Sequence, residues 1–406
     1  MWWQSMVLWW VSLSTANAPV IQPKVELGVD RLLGPEIALI AGKRVGLITN
    51  ASGVDGNLEP TFRRMARDKR FKLVQLYAPE HGIHGAAPAG HRVRDTIDPV
   101  TKLPIQSLFG KHKGPDLRSM KSLDVLVFDI QDIGSRTYTY TSTMGESMRS
   151  AKAAGIPFIV LDRPNPNGGL RFEGPLMRSR RQGFLGWGPT PVTHGMTAGE
   201  LAQFYNVVKK VGCKLHVVKM KGWRRGMQWE DTGLRWVPTS PAIPHVVQSH
   251  LYAATGMIGG VTKTVNEGYG TTLPFELIGA KFIEPYAFSA ALNKLQLPGV
   301  RFRPVRYRPS YGRYRKKHLG GVQLILTDPA AFWPIRTAIH IFTTLEKMYP
   351  GQTRFRPSWY FDVIWGDKRV MRMIQRGASA KEIIATWTAG ERKFAIARKP
   401  YLIYPE

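Results

Sequence analysis

Short, nearly unbroken apolar runs alternate with segments of helical spacing through the first half of the chain. Residues 44–49, 73–77, 124–129 and 157–162 have the continuous apolar character of strands covered on both faces, as parallel strands are. Residues 215–219 predict one more. Between them, 58–68, 143–154 and 197–208 carry helical periodicity. Gly155 supplies a stop after the second of these, and Thr197-Ala-Gly-Glu200 fits a capping box at the start of the third. Strands alternating with helices predict a doubly wound α/β sheet. The second half reads differently. Residues 236–244 contain three prolines and predict an extended connector or a loop lining a cleft. A strand at 320–327 and helices at 330–348 and 379–394 then predict a smaller α+β domain. The expected division is 19–235 for the first domain and 236–406 for the second.

The first 23 residues hold no charged side chain. They open Met-Trp-Trp-Gln-Ser-Met-Val-Leu-Trp-Trp and reach Ala16-Asn17-Ala18, a small-x-small site that predicts a cleaved export signal over 1–18. The apolar run is too short to span a bilayer, so no transmembrane anchor is expected in the mature chain. Export to the periplasm or the medium follows from this reading. A single cysteine, Cys213, excludes an intramolecular disulfide and a Cys-rich zinc module.

Charge adds a second theme. The formal net charge is +28, which says more about partners than about fold, since polyanions of any kind are attracted. The densest stretch, 301–317, carries eight Lys or Arg and no acid, with Phe302, Tyr307, Tyr311 and Tyr314 interleaved. It reads either as a stacking surface or as a solvated face with its aromatics packed inward. No helix-turn-helix, zinc-finger or RNP-like pattern accompanies it, so no nucleic-acid partner is expected.

The candidate chemistry lies at the strand ends. The first four runs finish in Thr49-Asn50, in Pro79-Glu80-His81-Gly82, in Asp129-Ile-Gln131-Asp132 leading to Arg136, and in Asp162-Arg163 leading to Asn165 and Asn167. Ligands of open α/β sheets bind outside the carboxyl ends of the strands. Four polar ends in register therefore predict one sugar-sized hollow, faced jointly by Glu80, Asp129 and Asp162. A partly desolvated Glu80 suits a general acid, and Arg136 and Arg163 suit bidentate carboxylate binding. Each acid has the alternative use of capping a helix or pairing with an arginine. His81 and His84 lack a third patterned ligand, so no metal is expected. Neither a G-x-G-x-x-G nor a Walker A lysine motif is present, so no cofactor is expected.

Three of these segments also carry a resemblance. Ala78-Pro-Glu-His-Gly-Ile-His-Gly85, Phe128-Asp-Ile-Gln-Asp-Ile-Gly-Ser-Arg-Thr-Tyr-Thr-Tyr140 and Leu161-Asp-Arg-Pro-Asn-Pro-Asn-Gly-Gly169 resemble the NamZ-type exo-β-N-acetylmuramidases. The likeness continues in order through Glu173-Gly-Pro175, His194-Gly-Met-Thr-Ala-Gly-Glu-Leu201, Asn266-Glu-Gly-Tyr-Gly-Thr-Thr272, Pro274-Phe-Glu276 and Arg398-Lys-Pro-Tyr-Leu-Ile-Tyr404. It implies a Rossmann-like first domain, a smaller second domain closing a cleft, and release of N-acetylmuramic acid from the non-reducing end of peptidoglycan fragments.

Carried over by motif position, the catalytic candidates are Glu80, His81, Asp129, Asp132, Glu173 and Glu267, with Glu80 as the acid. The substrate-binding candidates are Asn50, Gln131, Arg136, Tyr138, Asp162, Arg163, His194 and Tyr269. Three positions in two segments depart from the family pattern: Asn266 and Tyr269 replace a Ser and an Arg, and Ala242 follows Ser240-Pro241 where Asn is usual. A lost arginine weakens the expectation for the lactyl carboxylate of muramic acid. Two other readings therefore stand beside the main one: a wall-binding protein without catalysis, and an exo-glycosidase for another acidic or N-acetylated sugar.

Overall fold

A computed structural model describes residues 24–406, and the expected export signal lies outside them. The first domain is built on a seven-stranded sheet. Its strands are β1 (Arg44–Thr49), β2 (Lys72–Ala78), β3 (Thr96–Ile97), β4 (Pro104–Ser107), β5 (Val125–Asp129), β6 (Phe158–Leu161) and β7 (Leu215–Val218). The order is β3-β4-β2-β1-β5-β6-β7, and every pairing is parallel except that of β3 with β4. The chain winds outward from β1 through β2 to β4, then returns to lay β5 on the other side of β1. The switch point is between β1 and β5, where a doubly wound sheet opens its crevice.

The apolar runs became strands because both faces are covered. Val45, Leu47, Val125, Val127, Ile159 and Leu161 pack on one side, and Ile48, Leu126, Phe128, Phe158 and Val160 on the other. Helices Thr61–Arg67, Tyr140–Ala154 and Ala198–Val208 flank the sheet. Gly155 ends the second in the left-handed conformation, at φ 71°. Thr197 and Glu200 form the expected reciprocal cap at the start of the third.

The second domain holds an antiparallel sheet of β8 (Leu277–Ala280), β9 (Val300–Tyr307) and β10 (Leu319–Leu326), in the order β8-β10-β9. Strand β9 lies within the basic stretch. Val300 and Phe302 face the core while Arg301 and Arg303 face solvent, a period of two that the run of charges obscures in the sequence. Helices 285–293, 334–348, 358–365, 369–375 and 380–398 pack around this sheet. A further helical segment, 246–261, leads in from the proline-rich connector and contains a π-helical turn at Tyr252–Gly256. Such turns are frequent at functional sites. Among the described residues, no helix is long and apolar enough to cross a membrane.

The two domains are fastened by charged groups. Glu173, buried in the first domain, accepts from the backbone N–H of Ile335 (2.7 Å) and Arg336 (3.2 Å) and from the Arg336 guanidinium (3.1 Å). It thereby closes the N-terminus of the second domain's long helix Pro334–Met348. Arg398 returns the favour, donating to the carbonyls of His194 and Gly195 while lying over the Phe172 ring. The segment after it leaves the second domain altogether. Tyr404 packs against Trp223 and donates its hydroxyl to Asp162 at 2.6 Å.

Replacing Glu173 with Ala orphans two backbone donors and leaves Arg336 with Glu391 as its remaining acidic partner. The expected cost is about 3 kcal/mol, read as a lower urea midpoint with an unchanged slope. Glu173→Gln, which keeps an acceptor, is expected to lose less.

Candidate active site

Glu80 follows β2 and is held from two directions. Its Oε1 accepts from the Gly90 N–H (2.9 Å) and its Oε2 from the Thr139 hydroxyl (2.7 Å). Thr139 directly precedes helix Tyr140–Ala154, so the carboxylate joins the loop after β2 to the loop after β5. The turn behind Glu80 is strained: His81 adopts φ 72°, and Gly82 follows at φ 75°. A non-glycine residue in that region costs of order 1–3 kcal/mol, so the surrounding contacts must enforce it. His81 supplies one of them, its Nδ1 lying 2.7 Å from the Ala87 carbonyl, while the Ala87 N–H donates to the His81 carbonyl. His81 therefore shapes the loop that carries Gly90 to Glu80.

The loop after β5 provides the second set of groups. Asp132 Oδ2 accepts from the Gly134 N–H at 2.7 Å, and His194 Nε2 stands 3.7 Å from the same oxygen. His194 Nδ1 accepts from the Met196 N–H, so the ring proton sits on Nε2 and points toward Asp132. Gln131 commits its amide N–H groups to the carbonyls of Asp132 and Pro164. That leaves Gln131 Oε1, Asp132 Oδ1 and His194 Nε2 buried without a hydrogen-bonding protein partner. Two acceptors and one donor on adjoining residues match the mixed donor–acceptor character of sugar hydroxyls and amides.

An aromatic wall connects these groups to the second domain. Tyr140, Tyr138, Tyr252 and Phe275 stack edge-on in succession, with centroids 4.8, 5.7 and 5.0 Å apart. Burial lifts the Tyr252 phenol to about 12, its hydrogen bond with Thr137 opposes the rise, and Glu80, Tyr360 and Asp132 add to it. Tyr252 sits in the π-helical turn of the second domain. The connector 236–244 closes over the same wall. The Tyr138 hydroxyl lies 2.7 Å from the Thr239 hydroxyl, the Tyr140 hydroxyl donates to the Thr239 carbonyl, and Asn50 Nδ2 donates to that carbonyl as well.

Several candidates have other work. Asp129 does not face Glu80 across a shared hollow: both its oxygens take the Arg163 guanidinium (2.6 and 2.8 Å), and Oδ2 also accepts from Thr61 (2.6 Å). This buried pair locks the ends of β5 and β6, so neither Asp129 nor Arg163 is free for a substrate. Asp162 points the other way, accepting from Thr197, the Gly199 N–H and Tyr404. Burial pushes its carboxyl up to about 6 against those bonds. Arg136 meets no carboxylate. It donates to the carbonyls of Pro175, Thr190 and Ile364, and burial lowers it to about 9. Glu173 is the helix cap already described, and its burial raises it to about 7 despite Arg336.

The expected common hollow is in fact divided. One hollow is lined by Ser52, Gln131, Arg163 and Val237; another, at the domain junction, by Asn167, Glu173, His250 and Trp333. Glu80 lies outside both.

Glu267 and Tyr269 belong to a loop of the second domain. Glu267 packs so closely on Gly259 that no Cβ fits there. Burial raises its carboxyl, and the charges of Arg313 and Arg356 counter the rise. Arg356 lies over the Tyr360 ring at 5.2 Å, and its Nε has no protein partner. Tyr269 meets the Tyr311 ring edge-on at 5.3 Å. Cys213 is buried and pushed up to about 11 by that burial, the state of an inert filler. Among the described residues, no three metal-ligating side chains converge. Sequence reasoning passed over Thr139, Tyr252, Arg356 and Tyr360. Their only sequence signal was Thr139's place inside a motif whose tyrosines drew the attention.

The family model described as exo-beta-N-acetylmuramidase NamZ, N-terminal, matches residues 45–247, and its C-terminal counterpart matches 250–404. The chain belongs to the NamZ exo-β-N-acetylmuramidase family. It is 42% identical to the peptidoglycan beta-N-acetylmuramidase NamZ of Bacillus subtilis (strain 168), over 97% of this chain and 94% of that protein. Two crystal structures of DUF1343 family proteins from Bacteroides fragilis NCTC 9343 share the NamZ-family fold seen here. One superposes with a TM-score of 0.87 at 36% identity, the other with 0.77 at 29%, each covering 94% of this chain and 99% of its own. The two family models meet between 247 and 250, inside the helix that delivers Tyr252 to the site.

His250, one turn-position before Tyr252, is buried and lowered by that burial to about 4. A histidine held neutral in this way contributes stability that is present above its ordinary value near 6.5 and lost as pH falls toward 4. From His250 alone, acidification across that window is expected to cost up to about 3 kcal/mol, while the raised carboxyls of Asp162 and Glu173 act in the opposite direction, so the effect is read as the difference between wild type and a His250 variant. In His250→Gln the same stretch of the stability–pH curve should flatten in urea titrations.

Proposed function

We propose that the chain is an exo-acting glycosidase that releases N-acetylmuramic acid from the non-reducing end of peptidoglycan fragments. The observation that carries this reading is the position of Glu80 at the end of β2, anchored by Thr139 and Gly90 so that it joins the loops after β2 and β5, inside a chain of this family. Glu80 donates its proton to the glycosidic oxygen as the bond to the anomeric carbon breaks. Asp132 is the second carboxylate, acting on that carbon directly or through water. Gln131 and His194 hold sugar hydroxyls or the acetamido group, and Tyr138 and Tyr252 form an apolar wall for the ring.

With Arg163 paired to Asp129 and Arg136 fully buried among carbonyls, Arg356, part-exposed over the Tyr360 ring and free of any ion pair among the described residues, is the cation assigned to the lactyl carboxylate. An exported location suits a wall-derived substrate and agrees with the uncharged leader ending at Ala18.

Glu80→Gln is expected to lower turnover of a chromogenic β-muramide by about 10²- to 10⁴-fold with an unchanged melting temperature. A near-wild-type rate would refute the acid assignment. Arg356→Gln should raise KM for the muramide while leaving the slower cleavage of the matching β-glucosaminide, which lacks the carboxylate, as it was. Equal loss on both sugars removes Arg356 from the recognition of the lactyl group.

A further inference from the structure

The basic stretch is a solvated face over inward-packed Phe302 and Tyr307, with Tyr311 left exposed. Strand β9 is an edge strand of the second domain's sheet, its Phe302 backbone held by Ser289 and Asn293, and its alternation places Arg301 and Arg303 on the same exposed face, about 7 Å apart. Beyond it the chain forms a turn, 308–317, from which Arg308, Arg315, Lys316 and Lys317 project into solvent. None of these six cations pairs with an acid among the described residues; Arg303 donates only to the neutral Gln323.

The turn is nevertheless fixed from beneath. Arg313 donates to the carbonyls of Gly259, Thr262 and Val265, and the Tyr314 hydroxyl to that of Thr264. Tyr314 and Lys316 are held at φ 67° and 59°, left-handed conformations that side chains avoid. Tyr311, 52% exposed, stands edge-on to Tyr269 beside Glu267. Like charges held on a rigid, strained scaffold repel one another, and an acidic polymer lying across them would relieve that repulsion.

We propose that the outer face of β9 and the turn 308–317 form a docking surface for carboxylate-rich wall glycan, the polymer from which the site removes terminal sugars. The cations grip successive carboxylates and Tyr311 offers a ring face to a sugar. The inference rests on the proposed activity for its choice of partner, but the surface binds through residues separate from the catalytic groups.

The test compares the full-length protein with R301Q/R303Q/K316Q/K317Q. Two quantities are measured: co-sedimentation with purified peptidoglycan sacculi stripped of phosphodiester polymers, and turnover of the small chromogenic β-muramide. The variant is expected to bind sacculi at least about tenfold more weakly, each exposed contact being worth up to a few-fold, with small-substrate turnover unchanged. Wild-type sedimentation should disappear near 1 M salt, where screening shortens to about 3 Å. The charge-keeping R301K/R303K variant should sediment like wild type.

Undiminished sedimentation of the quadruple variant overturns the proposal. So does a loss in the charge-keeping variant as large as in the quadruple one, and so does wild-type retention on duplex DNA with none on sacculi. A wild-type protein that sediments but leaves the small muramide intact would sink the proposed activity and leave the docking surface standing.

Discussion

Two buried charges at the domain junction set the geometry on which everything else depends. Glu173 reaches out of the first domain to close the N-terminus of a helix in the second, and Arg136 donates to carbonyls of both. A buried charge with its hydrogen-bonding capacity mostly filled tolerates little displacement, because any shift exposes the desolvation cost of the group. The junction is therefore stiff where these groups lie. The aromatic wall from Tyr140 to Phe275 crosses the same boundary, so the second domain's Tyr252 is delivered to a fixed place against Tyr138, next to the loop after β5.

The sheet was legible because its strands are covered on both faces, which leaves the continuous apolar signature at 44–49 and 157–162. Strand β9 was not legible, since its outward positions are arginines and its inward ones only Val300 and Phe302. The short β3 and β4 were equally obscure: β3 is two exposed residues, and β4, Pro-Ile-Gln-Ser, has Ile105 as its one large aliphatic side chain. The helical segment that carries Tyr252 changes its winding part-way, which blurs any 3.6-residue pattern.

The candidate site divides along a physical line. Strand-end position singled out loops that carry polar side chains but did not say which of their carboxylates stay unpaired. Asp129 and Asp132 are three residues apart in one motif. The first is saturated by Arg163 and Thr61, whereas the second keeps an oxygen without a protein donor. No feature of the sequence distinguishes them, because the distinction is made by groups arriving from β6 and from helix Thr61–Arg67. The same holds for the arginines. Arg136 and Arg163 looked like carboxylate clamps from their motifs, yet Arg163 is taken by Asp129 and Arg136 is fully buried among three carbonyls with only its Nε unpartnered, whereas Arg356, outside every motif, is part-exposed and makes no ion pair among the described residues.

The hydroxyl of Tyr404 on Asp162 has a temporal meaning. The contact spans 242 positions, so a nascent chain emerging from the ribosome carries its first-domain strands long before the phenol that completes them. Until residue 404 is synthesised, Asp162 lacks one of its donors and Trp223 lacks its aromatic neighbour. A first domain that has been made without its last residues is therefore short of one buried hydrogen bond and one ring contact, and its completion belongs to the far end of the chain.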